Sequence, residues 1–100
     1  MYDRTKLHKE LETILGTKNV YFQPPEGFKM IYPCIVYERH GINNKHADDR
    51  VYLEPVRYRA TVIDANPDSE IVHKMNNLKH ARFVRHFAVN QLNHDIFDIY

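Results

Sequence analysis

The run at residues 30–39, MIYPCIVYER, constrains the fold more than any other stretch, because both of its alternating side-chain sets are largely apolar. Along an extended chain Met30, Tyr32, Cys34 and Val36 point one way, and Ile31, Pro33, Ile35 and Tyr37 the other. A strand apolar on both sides needs packing partners above and below its sheet. The sequence therefore predicts a central strand covered on both faces, with helices supplying at least one cover. Pro33 has no N–H to give, so it is expected near the strand's start, at a bulge, or where no ladder bond is required.

The elements around this strand follow from periodicity and turn chemistry. Asp3 or Thr5 can cap a helix whose apolar stripe is Leu7, Leu11, Ile14 and Leu15, and Gly16 ends it. His8, Lys9, Glu10 and Glu12 fall on its polar face. Residues 19–23, NVYFQ, read as a short strand or extended arm stopped by Pro24, Pro25 and Gly27. Residues 41–50, GINNKHADDR, form the longest polar stretch, and Gly41, Asn43 and Asn44 are turn formers, so an exposed loop is expected there. Two readings of it stay open: a functional loop, as long connections in compact domains often are, or a plain hairpin connection. Residues 51–53 can extend it as a β-ribbon before Pro55 resets the ladder.

Over residues 56–63 the alternation is clean, with Val56, Tyr58, Ala60 and Val62 inward and Arg57, Arg59 and Thr61 outward. A helix start follows, with Asn66 as the expected N-cap, Pro67 at the first helical position and acids favoured by the helix dipole. Ile71, Met75 and Leu78 give its buried stripe, and it ends within residues 76–79. Two strands, 81–89 and 94–100, close the chain around a turn at Asn90-Gln91-Leu92-Asn93. Phe83, Arg85, Phe87 and Val89 share a face of the first, which puts Arg85 at an edge or in a pair; in the second, Phe97 and Ile99 oppose Ile96 and Asp98. The order α-β-β-β-α-β-β predicts a single-domain α+β fold over 1–100, with two helices on a mainly antiparallel sheet of four to five strands.

Composition narrows the function classes. A chain of 100 residues buries roughly two thirds of its unfolded surface, enough for one modest core. With 14 basic against 13 acidic side chains, the net charge of +1 lacks the footprint of a nucleic-acid binder. The single cysteine, Cys34, has no partner for an internal disulfide and sits in the most apolar run, which predicts a buried, inert thiol. No apolar run approaches the ~18 residues of a membrane span and no signal-peptide core opens the chain, so a soluble protein made inside the cell and without a membrane partner is expected. The 7 tyrosines and 5 phenylalanines suit contacts with other proteins.

Nothing in the residues assembles a catalytic or metal site. His40 and His46, like His80 and His86, are spaced without an HxH, HExxH or Cys-His cluster, so no metal is expected. Asp48 and Asp49 beside His46 lack the burial that brings a carboxyl into the working range. With only 3 glycines, all isolated, there is no phosphate-binding loop, and the sequence predicts neither an enzyme nor a cofactor. Arg57 and Arg59, with Lys45 and Arg50, could form a basic face interleaved with Tyr52 and Tyr58. Three readings of that face stand: a polar outer face balanced by Glu54 and Asp64, a single-strand-binding face, or a contact with a neighbouring subunit.

Taken together, TKLHKELETILG, NVYFQPP, YPCIVYE, the polar loop, RYRATVIDANPDSE and FVRHFAVNQLNHDIFDIY resemble the small tail-terminator and tail-completion proteins of long-tailed bacteriophages. The resemblance covers most of the chain and rests on packing and turn residues. It implies a compact subunit, made in the host cytoplasm, that assembles as a hexameric ring in the virion neck, at the head-proximal end of the tail tube. There it would stop tube growth and provide the head-tail joining surface. Implied partners are further copies of the chain, the tail tube protein and a head-completion or connector protein, with viral DNA passing through the ring without specific binding. A neutral, aromatic-rich domain with open strand edges is the kind of unit that closes its edges by cyclic association. The candidate subunit or partner interface is Asn43, Asn44, Lys45, His46, Asp48, Asp49 and Arg50, together with Arg57 and Arg59. The alternative is a small nucleic-acid-binding regulator using the Arg57/Arg59 face; a hydrolase comes third, for want of paired catalytic residues.

Overall fold

Leu7, Leu11 and Leu15 recur on one stripe, and the chain coils so that all three are buried in helix α1 (Arg4–Leu15). In the computed structural model, which describes residues 4–47 and 50–100, with side chains at 4–41 and 57–100, Ile14 packs beside them. Thr5 lies inside the helix and so is not its cap, while Asp3 falls outside the described residues. Gly16 ends the helix at φ 84°, a conformation that glycine adopts without steric cost, and its N–H reaches the Glu12 carbonyl at 2.8 Å.

Strand β1 (Val20–Phe22) runs parallel to β2 (Cys34–Ala47), which pairs antiparallel with β3 (Arg50–Asp64). Helix α2 (Glu70–Asn76) intervenes before the hairpin of β4 (Ala81–Val89) and β5 (Leu92–Ile99). The five strands lie in the order β1-β2-β3-β5-β4, a mixed sheet in an α+β fold with the element order read from the sequence. Helix α1 lies over β1 and β2, and α2 over β4 and β5, on the same side of the sheet. Val20, Ile35, Tyr37, Tyr58, Ala60, Val62, Phe97 and Ile99 face them, with Met75 of α2 buried against the set.

Several expectations are corrected. The central strand begins at Cys34 rather than Met30, because Pro33 offers no ladder donor; Ile31 and Tyr32 before it are 66% and 43% exposed. Helices cover only one face of it. On the other face Cys34 and Ile63 are buried, but Val36, Thr61 and Ile96 are only half-buried, and the 23–33 segment returns beside Tyr21, whose hydroxyl accepts the Ile31 N–H at 3.3 Å. The polar stretch 41–50 is not an irregular loop: its ladder runs from Gly41↔Arg57 to Ala47↔Arg50, and Asp48 and Asp49 lie outside the described residues. Pro55 falls in the register shift between the pairs Ile42↔Val56 and Asn44↔Leu53, where a missing donor costs the ladder nothing.

At α2 the cap is Ser69, whose hydroxyl accepts the Ile71 N–H at 3.3 Å, and not Asn66. Asn66 is drawn into a chain of turns instead: its N–H donates to Asp64 Oδ1 at 3.0 Å, and its own Oδ1 accepts from Asp68 N at 2.9 Å. The closing turn is shorter than four residues, because Asn90 and Gln91 both take positive φ (53° and 66°), the geometry of a two-residue hairpin turn. A bulge between Phe83 and Arg85 turns Phe83 to the helix side, edge-on to Phe97 at 5.5 Å, so it does not share a face with Arg85 and Phe87.

Candidate assembly surfaces

Among the described residues β1 and β5 pair no further than Phe22↔Tyr37 and Tyr58↔Ile99, so beyond these β2 and β3 pair with each other as a ribbon. Seven residues, from Gly41 to Ala47, carry its outgoing strand, about 20 Å of extended chain. Asn43, Asn44, Lys45 and His46 lie on that strand and Arg50 opens the returning one, which places five of the candidate interface residues on one projecting element.

Arg57 and Arg59 sit where the ribbon joins the body, and the structure treats them differently. The Arg57 guanidinium crosses Gly41, 3.7 Å from where a Cβ would stand, and its Nε is buried with no partner among the described residues. Arg59 is clamped by both oxygens of Asp98, at 2.9 and 3.4 Å, which with Glu38 nearby holds its guanidinium more firmly protonated than usual. Tyr58 does not interleave with them: it is buried on the helix side, edge-on to Tyr37 at 6.1 Å. The basic and aromatic stripe expected on β3 is thus divided between two faces of the sheet, with one arginine already neutralised.

A second group of arginines was missed in the sequence. Arg4, at the start of α1, and Arg39, two residues beyond Tyr37 on β2, line a cleft of about 260 Å³ with Phe22, Gln23 and Tyr58. The Arg4 guanidinium lies 4.7 Å over the Phe22 ring, a cation–π contact. The Tyr37 hydroxyl and His8 Nδ1 are hydrogen-bonded at 2.7 Å, and His8 Nε2 faces Glu12 at 3.8 Å. Burial pushes the Tyr37 phenol up, with Arg4 pulling the other way. Gln23 Oε1 accepts the Arg39 N–H at 3.1 Å and fixes the cleft's rim. Among the described residues no carboxylate pairs with either arginine. The strand alternation 35, 37, 39 held the signal for Arg39, which continues the covered face past the end of α1.

At the opposite end of β3 the connection to α2 carries Asp64, Asp68 and Glu70, none of them paired with a cation among the described residues. This loop is firmly held. Besides its own turns, the Asn93 side-chain amide donates to the Asp64 and Ala65 carbonyls at 3.2 and 3.4 Å.

The two edges of the sheet differ. Strand β1 offers three residues, whereas β4 runs for nine with Phe83, Val84 and Val89 exposed, guarded by Arg82, Arg85 and the bulge. Arg85 is at this edge, 4.9 Å over the Phe87 ring, and Phe87 in turn stacks on His94 at 4.7 Å.

Among the described residues no three His, Cys, Asp or Glu side chains gather as a metal site; His86 Nδ1 instead donates to the buried Asp95 at 2.8 Å. Cys34 is fully buried, and burial pushes its thiol up to about 11, far from a nucleophile's range. No protein-family model matches the chain, and neither does any curated protein.

Proposed function

We propose that the chain is a structural subunit of the neck of a long-tailed bacteriophage, a tail terminator that caps the tail tube as a hexameric ring and joins it to the head. The observation that supports this reading most is the β2–β3 ribbon, a projecting two-stranded arm on a small α+β body with two open sheet edges. An arm of this kind lengthens a subunit toward its neighbours, and open edges are closed when identical subunits associate cyclically. Its role is that of a joint, and its partners are its own copies, the tail tube protein below and a head-completion protein above, with DNA passing through the opening.

The test replaces Lys45, Asp48, Asp49 and Arg50 with serine together. Replacing one polar side chain by another outside a core usually changes stability by under about 0.5 kcal/mol each, so the variant is expected to fold and melt close to the parent. Ring formation, or attachment of heads to tails, is expected to fail, since charges of both signs set register and speed encounter. Normal particles from a normally folded variant would remove the ribbon as the joining element.

A further inference from the structure

The two unpaired charge clusters lie at opposite ends of one strand. Tyr58 lines the arginine cleft and Asp64 begins the acidic loop, six residues along β3, about 20 Å in extended chain. One molecule therefore cannot bring its own acids to its own arginines, while a second copy can. Both patches are also held in part before any partner arrives: the Arg4 guanidinium by the Phe22 ring, the Arg39 backbone by Gln23, and the acidic loop by Asn93 and by its turns around Asn66. Preorganised partners lose less entropy on docking, and arginine beside tyrosine is the composition of interface anchors.

We infer that copies of this chain join head to tail, the acidic loop of one copy, with Asp68 and Glu70 exposed, seating on the Arg4/Arg39 cleft of the next. The occupant is a carboxylate-bearing loop and not a nucleic-acid phosphate, because the cleft is a single pair of guanidinium groups walled by Phe22 and Tyr58, in a chain of net charge +1. Two different patches in contact make a heterologous interface, which propagates in one direction and closes into a ring when the rotation permits. This contact rests on the ring reading above and supplies its subunit-to-subunit joint, leaving the ribbon for the partners above and below.

Charge exchange between two variants tests it. Arg4→Glu with Arg39→Glu makes the cleft acidic; Asp68→Lys with Glu70→Lys makes the loop basic, and Asp68→Lys alone, which leaves Asp64 and Glu70 and so only weakens the loop's charge, serves for the single-variant comparison if the pair disturbs folding. Sedimentation velocity over a concentration series is expected to show self-association of the parent that weakens with salt. Each variant alone should associate at least about tenfold more weakly, since like charges then meet. An equimolar mixture should recover association, because an acidic cleft then meets a basic loop and the native pair is kept at every other joint. Variants that associate like the parent, or a mixture that recovers nothing, would overturn the head-to-tail contact and leave the ring reading standing. A parent that stays monomeric at every concentration would instead overturn the ring reading, and this contact with it.

Discussion

Ile35→Ala should separate a sheet with one helix-covered face from a strand that is merely apolar. Ile35 is fully buried, pairs with Val20 on one side and Val62 on the other, and belongs to the cluster beneath α1. The substitution deletes three carbons. At about 0.8 kcal/mol for each buried methylene the transfer loss is about 2.4 kcal/mol. A cavity of roughly 75 Å³ adds up to about 1.8 kcal/mol where the surroundings cannot collapse. Two flanking strands and a helix limit that collapse, so the expected loss is about 3–4 kcal/mol, a large share of a small domain's stability. Urea titration measures it, as a lower midpoint at an unchanged slope. Val36→Ala, one residue along on the uncovered face, should cost about 1 kcal/mol or less, because Val36 is only half-buried and can be rehydrated. Equal losses at the two positions, or less than about 1 kcal/mol at Ile35, would refute the one-sided core.

Ser69→Ala removes the α2 cap and should cost about 1 kcal/mol in the same titration, whereas Asn66→Ala, which opens only an exposed turn, should cost less than half of that. A bulky thiol reagent should reach Cys34 only through unfolding, so labelling of the native protein at the unfolded chain's rate would contradict its burial. Because the folded thiol titrates near 11 against an ordinary 9.0, its contribution to stability is complete below about pH 9. As pH rises through that window the unfolded chain loses a proton that the folded chain keeps, so stability declines. Cys34→Ala should flatten that decline between pH 9 and 11, and an identical pH profile would refute the assignment.

The body of the fold was legible because burial imposes a period. Leu7, Leu11 and Leu15 marked α1, and Tyr58, Ala60 and Val62 marked the covered face of β3, since each set meets one core. The stretch 41–50 reads as a loop because its residues are polar and turn-forming: a ladder needs only backbone N–H and C=O groups, and these leave no hydrophobic period in the sequence. Asn66 and Ser69 are both good caps by composition, and the choice between them was made by Asp64 and Asp68, whose turns with Asn66 no capping rule includes. The bulge at Val84 similarly reassigned Phe83 without a turn residue to announce it. Pairings distant in sequence, such as Arg59 with Asp98 and Arg4 with Phe22, required the strand order itself. The sequence offered the candidate interface as a list of polar residues, while the placing of Asn43 to His46 on a ribbon, the clamping of Arg59 by Asp98 and the separate Arg4/Arg39 cleft needed the structure.

The proposed ring-forming joint is tested most directly by electron microscopy of the purified protein, with its mass determined over a rising concentration series. Closed particles with a central opening and a mass six times that of the 12.0 kDa chain are expected. A monomer at every concentration, or a compact dimer without an opening, would contradict the ring reading.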